Sequence, residues 1–327
     1  MFLLFIWEKN IKGRIKKIES KDYYVLCDNM QIVRCSLRGK FKKKLRVKKN
    51  KLFTLDYAVI GDYVEFEYIS ENVGVINEIY KRKNYLSRKA IKARGSLKRG
   101  ERLEQIIAAN LDNIFIVSSI ENPLFNNRFL DRAVVAAESN NISVNIIINK
   151  KDLDTQNNIA RWEQLYRKIG YNVFVISAKD KDGTEYLKQN LYSKTNIFWG
   201  RSGVGKSTLL NSMFSSLQFD VGEISEYSQK GTHTTVTAVM KEVAKDTFII
   251  DTPGVREIDP FGIEKKDLSH YFLEFLPFIP NCKFNTCLHN DEPECAVIKA
   301  VNDKKISNER YKSYLNILET IEDDMFY

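Results

Sequence analysis

The chemistry that the residue types and spacing predict first is phosphate binding. Residues 200–208 contain the spacing G-x-x-x-x-G-K-S, in which glycines let backbone N–H groups surround phosphate oxygens. Lys206 supplies a cation, and the hydroxyl of Ser207 suits Mg²⁺. The residues predicted to line this phosphate loop are Gly200, Arg201, Ser202, Gly203, Val204, Gly205, Lys206, Ser207 and Thr208. The motif alone serves any nucleoside triphosphate.

A second motif predicts that the base is guanine. Within the segment Asn149, Lys150, Lys151 and Asp152, the carboxylate of Asp152 can accept from both N1–H and the exocyclic amine of guanine, whereas adenine lacks that donor pair. Asn149 and Lys150 would brace the loop and cover the base. The apolar run 173–176 leads into a segment typical of the supporting guanine loop of GTPases, formed by Ser177, Ala178 and Lys179.

The residues for metal binding and hydrolysis follow the phosphate loop. Asp251 and Gly254 form an Asp-x-x-Gly pattern, in which the aspartate holds the water shell of Mg²⁺ and the glycine N–H senses the γ-phosphate. Between the two motifs, Thr234 and Thr235 offer hydroxyls suited to closing over Mg²⁺. Because position 255 is valine, where many GTPases carry the water-orienting glutamine, His233 is the candidate to orient the attacking water. The alternative is that His233 is an exposed loop histidine.

The order of these motifs is rotated relative to the usual GTPase order. The base loop and its supporting loop come first, and the phosphate loop, the threonine-rich switch and Asp-x-x-Gly follow. A compact domain whose termini are neighbours tolerates such a rotation. The apolar runs 144–148 and 195–199 are expected to be parallel strands that end at the loops they carry. We therefore predict a circularly permuted P-loop GTPase domain of α/β class.

A metal-binding pattern lies beyond the nucleotide motifs. Cys282, Cys287, His289 and Cys295 have the spacing C-x4-C-x-H-x5-C, and three thiolates with one imidazole form a closed tetrahedral set typical of structural zinc. The competing interpretation is a pair of disulfides or inert buried thiols. It is disfavoured because the chain has five cysteines, an odd number, and because a GTPase domain indicates a reducing cytosol.

Positive charge is concentrated in two short runs. Residues 38–51 contain nine Lys and Arg without an acid, and residues 81–102 contain ten opposed only by Glu101. Because the whole chain has a net charge of +9, the remainder is net negative. Such local runs favour contacts with a phosphate backbone, although solvated loops are the plain alternative. The first run is expected to be a loop presented by a β-scaffold. The apolar start, residues 1–7, is too short for a membrane span, so we expect a cytoplasmic protein that binds no membrane.

Alternating residues in the amino-terminal region predict short strands over 13–18, 23–26, 31–33, 62–68 and 74–76. They indicate a small antiparallel barrel, with an OB-type barrel favoured and an SH3-like barrel left open. The expected organisation is an OB-type RNA-binding barrel over 1–82, a basic linker over 83–110, the GTPase domain over 111–258 and a mostly helical zinc-binding domain over 259–327. The protein as a whole is thus multidomain α/β.

The chain resembles the bacterial family of small ribosomal subunit biogenesis GTPases called RsgA. The resemblance covers essentially the whole chain and is carried by the permuted motif order, by the switch Gly231 to Thr235, and by the cysteine pattern that ends at Val297. It implies an OB barrel, a permuted GTPase domain and a zinc domain. It also implies binding to the 30S subunit late in maturation, near the decoding centre, with faster GTP hydrolysis there. Thr232 departs from the basic or amide residue common in the family.

The resulting expectation is a GTP hydrolase that uses Mg²⁺ and one structural zinc ion, acts as a monomer, and grips 16S rRNA of the 30S subunit in its GTP state. Hydrolysis would couple late small-subunit maturation to release of the protein. Two alternatives stay open. One is an RNA-binding module in which GTP is structural, and the other is a GTPase that acts on tRNA or on the 50S subunit.

Overall fold

The structure is a computed structural model that describes residues 10–44, 53–54, 57–89, 103–214, 238–251 and 260–321. The chain divides into two compact units. The first contains residues 1–112, 192–197 and 227–255, and the second contains residues 113–191, 198–226 and 256–327.

A five-stranded barrel forms the start of the first unit. Its strands are β1 (Ile11–Glu19), β2 (Asp22–Cys27), β3 (Ile32–Leu37), β5 (Tyr63–Ser70) and β6 (Val73–Ile79); the short β4 (Phe53–Thr54) lies outside the barrel. The barrel order is β1-β2-β3-β6-β5, and β5 pairs back onto β1. All pairs are antiparallel except β3 with β6. This closed order confirms the OB-type barrel and excludes the SH3-like alternative.

Alternation along the barrel strands decides which side chains fill the interior. Ile15, Val25, Val33, Phe66 and Ile76 are fully buried in one core. Buried and more exposed residues alternate in β3, β5 and β6, whereas three successive residues of β1, 13–15, are buried. Five strands form at the predicted places, but β3 begins at Ile32 and extends to Leu37, beyond the predicted 31–33.

The first basic run begins as a helix rather than as the expected loop. Helix α1 (Gly39–Lys44) follows β3 directly. Lysine is a good helix former and no β-branched residue interrupts this segment, which accounts for the difference. The predicted linker likewise contains regular structure, because β7 (Tyr85–Lys89) and β8 (Leu103–Ala109) pair there as an antiparallel hairpin.

The second unit carries the parallel strands of the nucleotide-binding region. These elements are β9 (Asn113–Ser119), α2 (Asn127–Glu138), β10 (Ser143–Asn149), α3 (Asn158–Ile169), β11 (Asn172–Val175), α4 (Thr184–Gln189), β12 (Thr195–Gly200) and α5 (Lys206–Met213). The strands follow the order β11-β10-β9-β12, and β10 pairs in parallel with both β9 and β11. Every residue of β9 and of β12 is buried, as expected for strands covered on both faces. β12 starts in the first unit and enters the second at Phe198.

Two further strands belong to the first unit. β13 (Val239–Ala244) and β14 (Thr247–Asp251) form an antiparallel pair, and β13 meets β1 where Lys17 lies opposite Val239. β14 ends at Asp251, so the predicted metal-binding aspartate lies at the carboxyl end of a strand.

The carboxyl-terminal region of the second unit is mostly helical. Short 3₁₀ turns over Leu268–Tyr271, Leu273–Phe275 and Ile279–Asn281 precede α6 (Ala296–Asn302) and α7 (Asn308–Thr320). Their apolar side chains form one core with Phe272, Phe275 and Tyr314 at its centre. Within the part of the chain that the structure describes, no helix combines the length and the hydropathy that a membrane span needs.

Candidate guanine-nucleotide site and metal centre

The phosphate loop connects β12 to α5 and depends on glycine at two positions. A Cβ atom at Gly200 would lie 2.3 Å from the carbonyl oxygen of Val117 on β9, which is closer than any side chain tolerates. Gly205 has φ of +92°, and a Cβ there would lie 2.4 Å from the side-chain nitrogen of Asn149. Glycine thus lets the loop pack directly against the neighbouring strand and the base loop.

Lys206 begins α5 and folds over the loop that precedes it. Its ammonium donates to the carbonyl oxygens of Gly200, at 2.7 Å, and of Arg201, at 3.1 Å. Gly205, at the N-cap of α5, offers no side chain to satisfy the first helical N–H groups. A cation and backbone donors therefore converge on one loop, which is the arrangement that binds phosphate oxygens. Most of the other residues of this loop, Arg201, Ser202, Gly203 and Thr208, are exposed, while Val204 is buried.

Asn149 joins three of the predicted motifs. The side chain is 1% exposed at the end of β10, and its Nδ2 donates to the carbonyl oxygen of Val204 in the phosphate loop at 2.9 Å. Its Oδ1 accepts from the backbone N–H of Ala178 in the supporting loop at 3.0 Å. Segments that lie about fifty residues apart in sequence are therefore fixed to one another by a single buried amide.

The predicted guanine reader lies beside the supporting loop. The Oδ1 of Asp152 accepts from the hydroxyl of Ser177 at 2.8 Å, and Asp152 itself is exposed. Ser177 is 2% exposed and also contacts Asp180, so its hydroxyl is held in place. This fixes the carboxylate orientation while leaving Asp152 open to a base.

The two lysines of the base loop have different partners. Lys150 has the left-handed φ of 63° and donates its ammonium to the carbonyl oxygen of Asn122. Lys151 pairs with Asp182 at 2.7 Å, and this hydrogen bond raises the pKa of the exposed Lys151 ammonium. Lys179, the last residue of the supporting loop, is exposed.

One segment of this site was missed from the sequence. The loop after β9 passes through Asn122 and Pro123, whose ring would lie 3.6 Å from a Cβ at Gly203 of the phosphate loop. The buried hydroxyl of Ser119 donates to the carbonyl oxygen of Pro123 at 2.7 Å. An Asn-Pro pair three residues after a buried strand is a turn signal at the edge where α/β ligand sites lie, and this signal could have identified the segment.

The remaining predicted residues of the nucleotide site follow the phosphate loop in sequence. Asp251 ends β14 in the first unit. The switch residues His233, Thr234 and Thr235, together with Gly254, fall outside the residues that the structure describes.

The four predicted metal ligands lie together. Their ligand atoms are all within 4.8 Å of one another, and the imidazole of His289 is 1% exposed. Tetrahedral zinc with Zn–S bonds of about 2.3 Å separates two sulfurs by about 3.8 Å. The sulfurs of Cys282 and Cys295 are 3.9 Å apart, and the Nδ1 of His289 lies 3.6 Å and 3.3 Å from them. These three distances are close to the edges of a tetrahedron around one ion, and the sulfur of Cys287 lies within 4.8 Å of the other three ligand atoms.

The surroundings hold the metal ligands in this geometry. The sulfur of Cys295 caps α6 by accepting from the N–H of Ile298 at 3.5 Å, and the hydroxyl of Tyr311 donates to the carbonyl oxygen of His289 at 2.8 Å. All five cysteines of the chain are free thiols, so the disulfide alternative is not the state of this structure. Burial raises the pKa of the Cys287 thiol to about 12 and lowers that of the His289 imidazole. The closed Cys₃His set can hold a metal ion with no position left for a substrate.

Comparison with known proteins shows the family of this chain. The family model described as RsgA N-terminal domain matches residues 12–76, and the model described as RsgA GTPase matches residues 79–261. The small ribosomal subunit biogenesis GTPase RsgA of Bacteroides fragilis strain YCH46 is 36% identical over 319 residues, which cover 97% of this chain and 99% of that protein. The chain belongs to the RsgA GTPase family.

Other RsgA proteins and solved structures show the same relation. The RsgA of Flavobacterium psychrophilum is 38% identical over 316 residues, covering 94% of this chain and 92% of that one. The crystal structure of YjeQ from Thermotoga maritima superposes with a TM-score of 0.71 at 30% identity and covers 95% of this chain and 98% of its own. The structure of YloQ, described as a circularly permuted GTPase, has a TM-score of 0.70 at 28% identity, with both chains fully covered. The permuted order predicted from the motifs is thus confirmed for this RsgA family member.

Proposed function

We propose that this chain hydrolyses GTP in order to time a late step of small ribosomal subunit biogenesis, and that it does so in the cytoplasm as a monomer. The observation that supports it most is the buried amide of Asn149, because this side chain joins the base loop, its supporting loop and the phosphate loop. In this proposal the carboxylate of Asp152 would read the guanine base, and the ammonium of Lys206 would bind the phosphates of the same GTP molecule.

In this proposal each nucleotide-site residue has one role. Asp152 accepts from N1–H and the exocyclic amine of guanine, while Lys150 covers the base and Ser177 orients the carboxylate. Lys206 exchanges its carbonyl partners for the β- and γ-phosphates when GTP enters. From the motifs, Ser207 and Asp251 would hold Mg²⁺, which would neutralise charge that develops on the phosphates. Lys151, Ala178 and Lys179 shape the base loop and its support.

The hydrolytic step is assigned to the switch. Thr234 and Thr235 would close over Mg²⁺, Gly254 would sense the γ-phosphate, and His233 would orient the attacking water. His233→Ala is expected to abolish ribosome-stimulated turnover while GTP affinity is retained. Unchanged stimulated turnover in that variant removes His233 from the mechanism and leaves the exposed loop histidine as its explanation.

The partner proposed for this GTPase is the 30S subunit, gripped through 16S rRNA. Two features support it: the name of the relatives, which are small ribosomal subunit biogenesis GTPases, and the two basic runs on an otherwise net negative chain. We assign the grip to the barrel over 1–82, the basic segment over 83–110 and the metal domain over 259–327, with the GTPase domain over 111–258 as the timer. The ion in the Cys₃His centre is proposed to be structural zinc, because the ligand spacing and the tetrahedral edges suit it.

Turnover measured with separated ribosomal subunits tests this function. GTP hydrolysis should rise on addition of 30S particles and stay at the basal rate with 50S particles or tRNA. If about six phosphates are contacted, affinity for 30S particles should fall on the order of 10³-fold between 50 and 200 mM salt. Stimulation by 50S particles or tRNA would support a different RNA target, and binding to 30S particles without any stimulation would support a non-enzymatic RNA-binding module.

A further inference from the structure

A groove of about 400 Å³ lies in the first unit at the point where the barrel meets the basic segment. Its walls are aromatic, formed by Phe41 of α1, Tyr57, Tyr80 after β6, and Tyr85 at the start of β7. All four side chains are half-buried, so each presents part of its ring to solvent. The volume falls at the lower end of the range of small-ligand pockets, about 300 to 1,000 Å³.

One charged side chain of the groove lining, Arg82, is already neutralised by a buried carboxylate. Arg82 donates from Nε and Nη2 to the two carboxylate oxygens of Asp62, at 2.7 and 2.8 Å. A third bond from Nη2 reaches the carbonyl oxygen of Tyr57 at 3.0 Å, and Asp62 is fully buried. Because this guanidinium is engaged by a carboxylate, it is poorly suited to a phosphate.

Cations border the groove near its aromatic rings. The ammonium of Lys40 lies 5.3 Å from the ring centroid of Phe41, and the ammonium of Lys12 lies 5.9 Å from that of Tyr80. Both lysines are exposed. Lys83 also lines the groove, and its ammonium pairs with Asp112. Aromatic walls bordered by exposed cations match a nucleotide whose base enters the groove and whose backbone phosphates stay at the rim.

We propose that this groove binds one unstacked base of single-stranded RNA. The proposal rests on the rRNA-binding function proposed above and names a site through which part of that binding occurs. Stacking on Phe41 and Tyr80 supplies affinity that tolerates every base, since every base has a π-face. Lys12 and Lys40, whose ammonium groups lie over the rings of Tyr80 and Phe41 in this structure, turn from the rings to the flanking phosphates when the base stacks.

The test uses the full chain, loaded with zinc and a non-hydrolysable GTP analogue, and a short oligouridylate that carries one central 2-aminopurine. The fluorescence of the probe should be quenched on binding, because the base stacks. Tyr80→Ala and Phe41→Ala should each weaken binding by about 5- to 150-fold, which corresponds to the loss of one base–aromatic stack. Two variants on different elements guard against a folding defect in either.

Matched variants separate stacking from charge. Tyr80→Phe keeps the ring and loses only the hydroxyl bond to Glu65, so it should bind like wild type. Lys40→Gln should lower the slope of log affinity against log salt by about one, whereas the alanine variants should leave that slope unchanged. Equal binding by wild type and both alanine variants, or an unquenched probe, would overturn the proposal. Displacement of the oligonucleotide by an equal concentration of free uridine monophosphate would also overturn the proposal.

The same preparations distinguish failure of this site from failure of the proposed function. Stimulation of wild-type turnover by 30S particles, together with alanine variants that bind the oligonucleotide normally, rejects the groove alone. Absence of stimulation in wild type rejects the proposed function.

Discussion

Replacing Arg310 with methionine should destabilise the second unit strongly. Arg310 lies on α7, and its side chain and that of Asp131 on α2 are fully buried, so they form an ion pair without solvent. Its Nε and Nη2 donate to the two carboxylate oxygens of Glu274, at 2.6 and 3.2 Å. The guanidinium also lies 4.5 Å from the ring centroid of Phe272. One cation thus ties α2 to the metal-binding region.

The expected loss follows from the carboxylates that would remain. Removing one partner of a buried ion pair costs about 3–5 kcal/mol, because the other charge stays buried without compensation. For a domain of this size, about 2–4 °C of melting temperature corresponds to 1 kcal/mol, so the unfolding midpoint should fall by about 6–20 °C. Arg161→Met is the matched control, since Arg161 pairs with Glu309 on the same helix but at the surface, with side chains 61% and 38% exposed. An exposed pair contributes at most about 1 kcal/mol.

The stability of the Arg310→Met variant should also depend on pH in a defined direction. In wild type, burial opposes the charge on Arg310, but Asp131 and Glu274 together raise its pKa well above the usual value. Burial already raises the pKa of Asp131. Without the guanidinium of Arg310, the pKa of the Asp131 carboxyl in the folded state should rise further above its value in the unfolded state. The folded variant then binds an extra proton, and its stability decreases as pH rises through that raised pKa, by about 1.4 kcal/mol per pH unit.

Calorimetric unfolding of the zinc-loaded protein at pH 5 to 8 measures both effects. The difference in unfolding midpoint between Arg310→Met and Arg161→Met should be smaller at pH 5 than at pH 8. Because both variants are compared at the same pH, changes in zinc binding with pH cancel. The reasoning is refuted if both variants unfold at the same temperature, or if the gap is widest at low pH.

Three further outcomes are expected. Asp152→Asn should weaken GTP binding, measured by calorimetry, by about 10- to 150-fold, because charge-assisted hydrogen bonds to guanine are lost. ATP binding should stay unchanged. A GTP affinity equal to that of the wild type would contradict the role of Asp152 as the guanine reader. Gly205→Ala should abolish binding of a fluorescent GTP analogue, since its Cβ would lie 2.4 Å from an amide nitrogen of the base loop. Gly170→Ala has a similarly left-handed backbone with nothing within 4 Å and should bind normally; loss of binding in both would indicate general strain. Cys287→Ser should lower the zinc content measured by elemental analysis, whereas Cys27→Ser should not; full zinc retention in Cys287→Ser would exclude this thiolate as a ligand.

Much of the nucleotide site could be predicted because its chemistry is local in sequence. Phosphate binding needs glycines and a lysine at fixed spacing, and guanine reading needs a carboxylate at the end of a strand. The barrel was equally accessible, because alternation at period two records which side of each strand is buried. The basic run at α1 was misjudged as a loop, since charge patterning does not distinguish a solvated loop from a short exposed helix.

Contacts between distant segments were not accessible in this way. Asn122 supports the base loop through its backbone carbonyl oxygen, which accepts from Lys150, and a backbone carbonyl carries no residue-type signal. The Asn-Pro turn could mark this segment, but it does not identify the contact. Arg310 and Asp131 read as ordinary polar positions on two helices, yet they form a buried ion pair across 179 residues.

By itself, the sequence determined the kinds of chemistry in this protein: phosphate and guanine binding, a Cys₃His metal centre, and a β-barrel at the start of the chain. These follow from residue type and short spacing, because local backbone geometry places residues that are close in sequence close together in space. Only the tertiary structure decided that one amide of Asn149 would join three loops, that the four metal ligands would meet within 4.8 Å, and that four aromatic rings would surround a groove. Such arrangements depend on how buried surfaces pack between distant segments, and packing is a property of the whole fold.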